Sequence, residues 1–289
     1  MEVAGGPSKV GSLVGQSTST DRIGGPALLF CPADRPDRFA KALAAADTVL
    51  VDLEDAVAPD GKDAARAAVR EALRDDPDRF VVRVNSRGTE WHDADLAMLR
   101  EAGASTLLLP KAESAADLAA MPDLGVIALC ETVHGIVNAR EIARANNCVG
   151  LFWGAEDLTA DLGGRSSRAS GGAYHVPIEH ARSEVLFAAA AAGRPAIDAV
   201  VLDIEDDETL RAESQAACDV GFAAKACIHP RQVPTVRAAF APSDEQVAWA
   251  RGVLAAVADH GPGVFRYQGL MVDGPLHTLA RTILSRTET

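Results

Sequence analysis

One repeated alternation constrains this chain more than any other feature. Short apolar runs, mostly four to six residues long and unbroken by polar residues, are each followed by an Ala-, Arg- and Glu-rich amphipathic stretch. The runs are ALLFCP (27–32), TVLVDLED (48–55), FVVRVN (80–85), TLLLPKAE (106–113), VIALCET (126–132), CVGLFWGAED (148–157), AVVLDIED (199–206) and AKACIHP (224–230). Continuous Val, Leu and Ile without alternation is the pattern of strands buried on both faces. The stretches between them, such as 35–46, 62–74, 91–103, 180–193 and 207–221, carry helical spacing. Gly103, Gly193 and Gly221 stand where C-terminal caps belong.

Strand alternating with helix means parallel pairing through helical crossovers. Eight such units predict a TIM (β/α)8 barrel over residues 26–240 rather than an open doubly wound sheet. No GxGxxG follows the first run, which weakens the dinucleotide-binding alternative. Residues 1–25 are rich in Gly and Ser and lack the apolar core of a signal peptide, so they read as a disordered leader. Residues 241–289 exceed what a barrel needs: a helix (243–261), an extended piece (263–275) and a last helix (276–287) form a C-terminal arm suited to contact a neighbouring subunit.

A formal charge of −13 argues against nucleic acid or an anionic membrane as partner. No run of about 18 apolar residues is present, so no membrane span is expected. The cysteines Cys31, Cys130, Cys148, Cys218 and Cys227 are odd in number, widely spaced and without a CxxC pair. They predict buried free thiols in a reduced, cytoplasmic protein rather than a disulfide or zinc framework.

Barrel enzymes place their chemistry where strands end, and here polar residues collect at those ends. Asp52, Glu54 and Asp55 close the second run, Arg83 and Asn85 the third, Lys111 and Glu113 the fourth, Glu131 and Thr132 the fifth, Glu156 and Asp157 the sixth, and His229 the eighth. Converging carboxylates need a cation among them. Glu131 and Asp157, on neighbouring strands, can chelate one hard divalent ion, and Mg2+ suits such a site. Arg83 adds a permanent positive charge able to stabilise an oxyanion. Together these suit an enolate-forming reaction.

Simpler readings compete at each position. Asp206 or Asp207 caps the following helix. Lys111 is either a Schiff-base lysine or, more in keeping with its place after Pro110, a positioning lysine or ion-pair partner. His229 lacks a second ligand at metal spacing, which favours a loop-fixing role. Trp153 reads as core. Arg35, Arg38 and Lys41 read from spacing alone as a solvated helix face. The Gly/Ser-rich segment 162–177 has the composition of a mobile loop, with Arg165 or Arg168 as weak candidates for a substrate carboxylate.

The motifs FCPADRPDRFAKA, VDLEDAVAP, VVRVN, LLPKAES, ALCET, GAEDL, CIHPRQ and GLMVDGP, taken in order, span Leu28 to Pro275. Together they resemble the citrate lyase β-subunit-like family, within the malyl-CoA and citramalyl-CoA lyase branch of the HpcH/HpaI aldolases. They look most like its stand-alone actinobacterial members. The resemblance implies a magnesium-dependent barrel, usually a trimer, that breaks or forms a C–C bond in a β-hydroxyacyl-CoA. It puts the metal ligands on Glu131 and Asp157, and catalytic roles on Arg83, Glu54, Asp55 and Asp273. Asp273 would reach a neighbouring subunit's site from the arm and act as base. Acyl-CoA contacts fall on Phe30, Arg35, Lys41, Arg83, Ala155, Glu156, Asp157, Ile228 and His229.

The implied reaction is cleavage of citramalyl-CoA to pyruvate and acetyl-CoA. Alternatives are a malyl-CoA lyase or thioesterase, a CoA-independent metal aldolase, and a non-catalytic CoA-binding subunit. Citrate lyase members of the family act on acyl-carrier-protein thioesters. The basic Arg35/Lys41 pair favours free CoA here.

Overall fold

The alternation of inward and outward side chains along eight parallel strands explains the architecture. In the computed structural model, which describes residues 24–77, 79–261 and 263–287, the strands close into a barrel in sequence order. They are β1 Ala27–Pro32, β2 Thr48–Asp52, β3 Phe80–Arg83, β4 Thr106–Leu109, β5 Gly125–Cys130, β6 Cys148–Trp153, β7 Ala196–Asp198 and β8 Ala224–Cys227. Leu28, Leu50, Val81, Leu108, Ile127, Val149, Ile197 and Ala224 fill the lumen. Their neighbours Leu29, Val49, Val82, Leu107 and Val126 face the surrounding helices. Both faces are buried, hence the unbroken apolar runs.

The helices are α1 Phe39–Ala45, α2 Lys62–Asp75, α3 His92–Glu101, α4 Ala115–Ala119, α5 Val133–Val137, α6 Ala139–Ala143, α7 Ala155–Asp161, α8 Val176–Ala191, α9 Asp207–Val220 and α10 Gln232–Phe240. Asp206 caps α9 by accepting from the Thr209 amide at 2.9 Å. Gly221 ends that helix at φ +110°, a conformation glycine adopts without a Cβ clash.

The seventh strand is displaced from its expected place. The ladder uses Ala196–Asp198, whereas residues 199–206 form the loop between β7 and α9. Val201 is buried from that loop without joining the ladder, and Leu202 is exposed. An apolar stretch is thus split between a three-residue strand and a packed loop, which periodicity cannot separate.

Beyond α10 the chain leaves the barrel. Helices α11 Asp244–His260 and α12 Gly274–Ser285 enclose an antiparallel hairpin, β9 Phe265–Tyr267 and β10 Leu270–Val272. Ala250, Val253, Val272 and Ala280 make a small core of their own. Arg286, just past α12, reaches the Cys218 and Phe222 carbonyls near the end of α9 at 3.3 and 3.5 Å. The leader expected over residues 1–25 lies, up to residue 23, outside the described residues. All five cysteines are free thiols, four of them buried. No helix among the described residues is long and apolar enough to cross a membrane.

Candidate active site

Period-two geometry carries the lumen-facing set upward to the mouth of the barrel. Two residues beyond Leu28, Leu50, Val81 and Leu129 stand Phe30, Asp52, Arg83 and Glu131. Arg83 pairs in register with Asp52 on the adjacent strand. Its Nε and Nη2 donate to the two Asp52 carboxylate oxygens at 2.8 and 2.6 Å. Its Nη1 lies 3.1 Å from Glu54 Oε2 and 3.7 Å from Asp55 Oδ2. The guanidinium carbon sits 5.0 Å from the centre of the Phe30 ring. Burial alone would lower its pKa, but the hydrogen bonds and charge of Asp52, with Glu54 and Glu131, outweigh that and hold it above its ordinary value. Arg83 is a fixed, permanent cation.

Glu54 is buried, and it accepts from Ser86 Oγ at 2.5 Å and from Lys111 Nζ at 2.8 Å. Asp55 is mostly exposed at the rim, so the two members of this acidic pair stand in different surroundings. Asp52 does more than hold Arg83: its oxygens also accept the main-chain amides of Glu54 and Ala56 at 2.9 and 3.2 Å.

Lys62 opens α2 and is buried. Its ammonium donates to the carbonyls of Leu53 and Glu54 at 2.5 and 2.6 Å and to Asn85 Oδ1 at 2.6 Å. Asn85 Nδ2 in turn donates to the buried Asp95 at 2.7 Å. Burial pulls the Lys62 pKa down, against the raising influence of Asp52 and Asp95. This network ties the ends of β2 and β3 together beneath the site. No short-range signal marked it, because its partners are distant in sequence.

Glu131 is buried at the end of β5 and accepts the Lys111 amide at 3.2 Å. A Cβ built on Gly154 would stand 2.8 Å from Glu131 Oε2, so the bare backbone there makes room for this carboxylate. Burial first, then the charges of Asp157 and Glu54, push the Glu131 pKa up to about 8. Asp157, on the first turn of α7, is partly exposed and faces Lys111 Nζ at 3.5 Å. The Lys111 ammonium, 4.0 Å from Glu131 Oε1, therefore lies among three carboxylates. Their influence exceeds the opposing effect of burial and raises its pKa. A lysine held protonated is a poor Schiff-base nucleophile, and Lys111 acts as the ion-pair partner.

Among the described residues no three His, Cys, Asp or Glu side chains are grouped to hold a metal. A cation at Glu131 and Asp157 would rely on two hard oxygen donors and on substrate or water for the rest. That donor chemistry fits magnesium.

The other expected site residues border this centre. Arg35 lies just past β1, partly exposed and paired to Asp37 at 2.9 Å, and Lys41 is exposed on α1. Ile228 and His229 follow β8, which pairs with β1. Both their amides donate to Gln232 Oε1, at 2.9 and 3.3 Å, while Gln232 Nε2 donates to the Val201 carbonyl. His229 Nδ1 accepts the Arg231 amide, so its ring shapes this turn. Ala155 is buried, and Glu156 is exposed and accepts from Ser167 Oγ at 2.8 Å. Asp273 precedes α12 and makes no capping hydrogen bond with its side chain.

Segment 162–175 is more firmly held than its glycines suggest. Arg168 donates to the Gly172 carbonyl at 2.8 Å and to Glu213 at 2.5 Å, and its guanidinium stacks 3.9 Å from the Tyr174 ring. Tyr174 packs edge-on against Trp153 at 5.4 Å. Trp153 Nε1 donates to Asp198, which also pairs with Lys225 at 2.8 Å and Arg182 at 2.9 Å. Arg168 is thus a clamp on the outer wall, already committed to Glu213, rather than a ligand for a substrate carboxylate.

Known proteins resemble this chain in sequence and fold. The sequence profile of the HpcH/HpaI aldolase/citrate lyase family matches residues 27–230. A citrate lyase subunit beta-like protein from Mycobacterium tuberculosis is 53% identical over 92% of this chain and 96% of its own. A crystal structure of CitE from the same organism, in complex with magnesium, acetoacetate and coenzyme A, superposes with a TM-score of 0.86. It is 53% identical, over 93% of this chain and 100% of that one. A (3S)-malyl-CoA thioesterase from Cereibacter sphaeroides is 37% identical over 90% of this chain and 94% of its own. The closed eight-stranded barrel, its profile match and these relatives establish that the chain belongs to the HpcH/HpaI aldolase/citrate lyase family.

Proposed function

We propose that this protein is a magnesium-dependent β-hydroxyacyl-CoA lyase that cleaves citramalyl-CoA to pyruvate and acetyl-CoA. The observation that carries this reading is the rigid Arg83 cation, fixed by Asp52 and Glu54 at the mouth that also gathers Glu131, Asp157 and Lys111. A CitE relative bound to magnesium, acetoacetate and coenzyme A supports it.

Glu131 and Asp157 would hold magnesium, which when bound supplies Lewis-acid polarisation of the substrate's hydroxyl and carboxylate oxygens. Asp273 of a neighbouring subunit takes the β-hydroxyl proton. The hydroxyl oxygen becomes the keto oxygen, the Cα–Cβ bond breaks, and its electron pair passes to the thioester as an enolate. Arg83 stabilises the negative oxygen of that enolate from a preset position. Protonation of the enolate carbon gives acetyl-CoA. Glu54 and Asp55 organise the site, Glu54 by holding Arg83 and Lys111, and Asp55 from the rim.

CoA enters across the β8–β1 edge, with Phe30, Arg35 and Lys41 on one side and Ile228 and His229 on the other. Ala155 and Glu156 border the acyl end beside Asp157. Pairing of β8 with β1 supports this route. The arm reaches a neighbour within a homotrimer, and its separate core supports that role. The chain divides into the 26–240 barrel and the 241–289 arm, and the five free cysteines support a cytoplasmic location.

The thioesterase relative favours a second reading, in which malyl-CoA is hydrolysed at the same centre. Racemic citramalyl-CoA, incubated with and without magnesium while pyruvate and acetyl-CoA are followed together, separates the two. Equal release of both products, abolished by EDTA, is the expected result. Free CoA without pyruvate would establish hydrolysis instead.

A further inference from the structure

Lys111 follows β4 at φ +50°, in the left-handed region that favours glycine. A long side chain persists in such a conformation where its surroundings over-determine it. Two contacts do so. The Lys111 amide donates to Glu131 Oε1 at 3.2 Å, and its ammonium donates to Glu54 Oε1 at 2.8 Å. The same ammonium stands 3.5 Å from Asp157 Oδ1 and 4.0 Å from Glu131 Oε1. It therefore shares oxygens with the cation that Glu131 and Asp157 are suited to hold. Two positive charges drawing on the same carboxylates at this range weaken one another's attraction.

We propose that Lys111 is a positioning residue carrying a built-in counter-charge. Its main chain aims Glu131, and its ammonium fixes Glu54 and offsets the acidic cluster. In doing so it loosens the grip of Glu131 and Asp157 on a divalent cation and keeps that cation exchangeable. This inference rests on the reading of Glu131 and Asp157 as magnesium ligands.

The left-handed backbone supplies a clean test. Lys111→Gly accepts φ +50° without strain, retains the amide that Glu131 uses, and deletes the side chain with its ammonium. Lys111→Arg retains the charge. Magnesium is titrated calorimetrically into EDTA-treated, dialysed protein at fixed ionic strength. Lys111→Gly is expected to bind magnesium at least about tenfold more tightly than wild type, and Lys111→Arg to stay within about threefold. Equal or weaker binding by Lys111→Gly overturns the role of Lys111. Absence of magnesium binding by the wild type, checked by equilibrium dialysis, overturns the metal reading itself. Should Lys111→Gly fail to fold, Lys111→Gln carries the same expectation, since it can still donate to Glu54 without a charge.

Discussion

Arg83 and Asp52 face each other across β3 and β2 and share two parallel hydrogen bonds of 2.8 and 2.6 Å. A paired fork of this kind fixes both the position and the plane of the guanidinium. Arg83→Ala is expected to lower turnover by about 10²–10³, or about 3–4 kcal/mol, with the barrel still folded. Arg83→Lys keeps the charge but cannot form the fork, so its turnover falls between the two. Steady-state kinetics with circular dichroism as a fold control measures this. Wild-type turnover in Arg83→Ala would remove Arg83 from the chemistry.

Glu131 gives the site its pH signature. Burial, Asp157 and Glu54 raise its carboxyl from 4.5 to about 8. Because the folded-state value lies above the unfolded one, its contribution to stability is fully present below about pH 4.5 and is lost as pH rises through about 8. Glu131→Gln escapes that loss. Metal-free Glu131→Gln is therefore expected to melt above metal-free wild type near about pH 9, with the gap closing towards about pH 5. Magnesium binding to the wild type carries the opposite slope, strengthening by up to about tenfold per pH unit until about pH 8. Parallel melting curves for both proteins across this range would contradict the raised value.

Gly154 tests how closely the strand ends are fitted. A methyl group there would meet Glu131 Oε2 at 2.8 Å and Glu131 Cβ at 3.0 Å. Glu131 is buried and cannot swing freely away. Gly154→Ala is expected to destabilise by about 1–3 kcal/mol, as overpacked cores do, and to weaken magnesium binding. Chemical denaturation and calorimetry check the two effects separately.

Much of this was legible in the sequence, and the reasons differ by residue. The strands announced themselves because burial on both faces leaves unbroken apolar runs. Arg83 and Glu131 were legible because period two carries strand-end side chains into the lumen. The seventh strand was misplaced because Ile197 in the ladder and Val201 in the loop are equally apolar and equally buried. Lys62 and the Asp198–Lys225 pair were invisible for another reason. A buried ion announces itself only through partners, and theirs lie 8 to 27 residues away in sequence.

The Asp198–Lys225 pair carries its own prediction. Both residues are almost fully buried, and Asp198 also holds Trp153 and Arg182 behind segment 162–175. Lys225→Met leaves Asp198 with one fewer counter-charge and is expected to cost about 3 kcal/mol of stability. Arg168→Ala, which releases the clamp on Tyr174 and Glu213, should leave the global melt nearly unchanged but loosen the segment. Hydrogen exchange over 162–175 reads that difference directly.

Asp273 carries the prediction that decides the assembly. Arg286, beyond the far end of α12, is tied to the end of α9, on the side of the barrel away from the strand C-termini. A twelve-residue helix separates it from Asp273, a length of about 18 Å. Among the described residues no hydrogen bond or ion pair joins Asp273 to Arg83, Glu131 or Asp157. The base role proposed for Asp273 therefore places it in a neighbour's site. Asp273→Asn and Arg83→Ala should each fall to about 1% of wild-type activity or less alone. Unfolded together, mixed equally and refolded, they should recover roughly a quarter of wild-type activity, because random assembly pairs an intact barrel with an intact arm at that frequency. A mixture as inactive as its parents, in a sample shown by light scattering to be oligomeric, would place Asp273 outside the chemistry or within its own subunit's site.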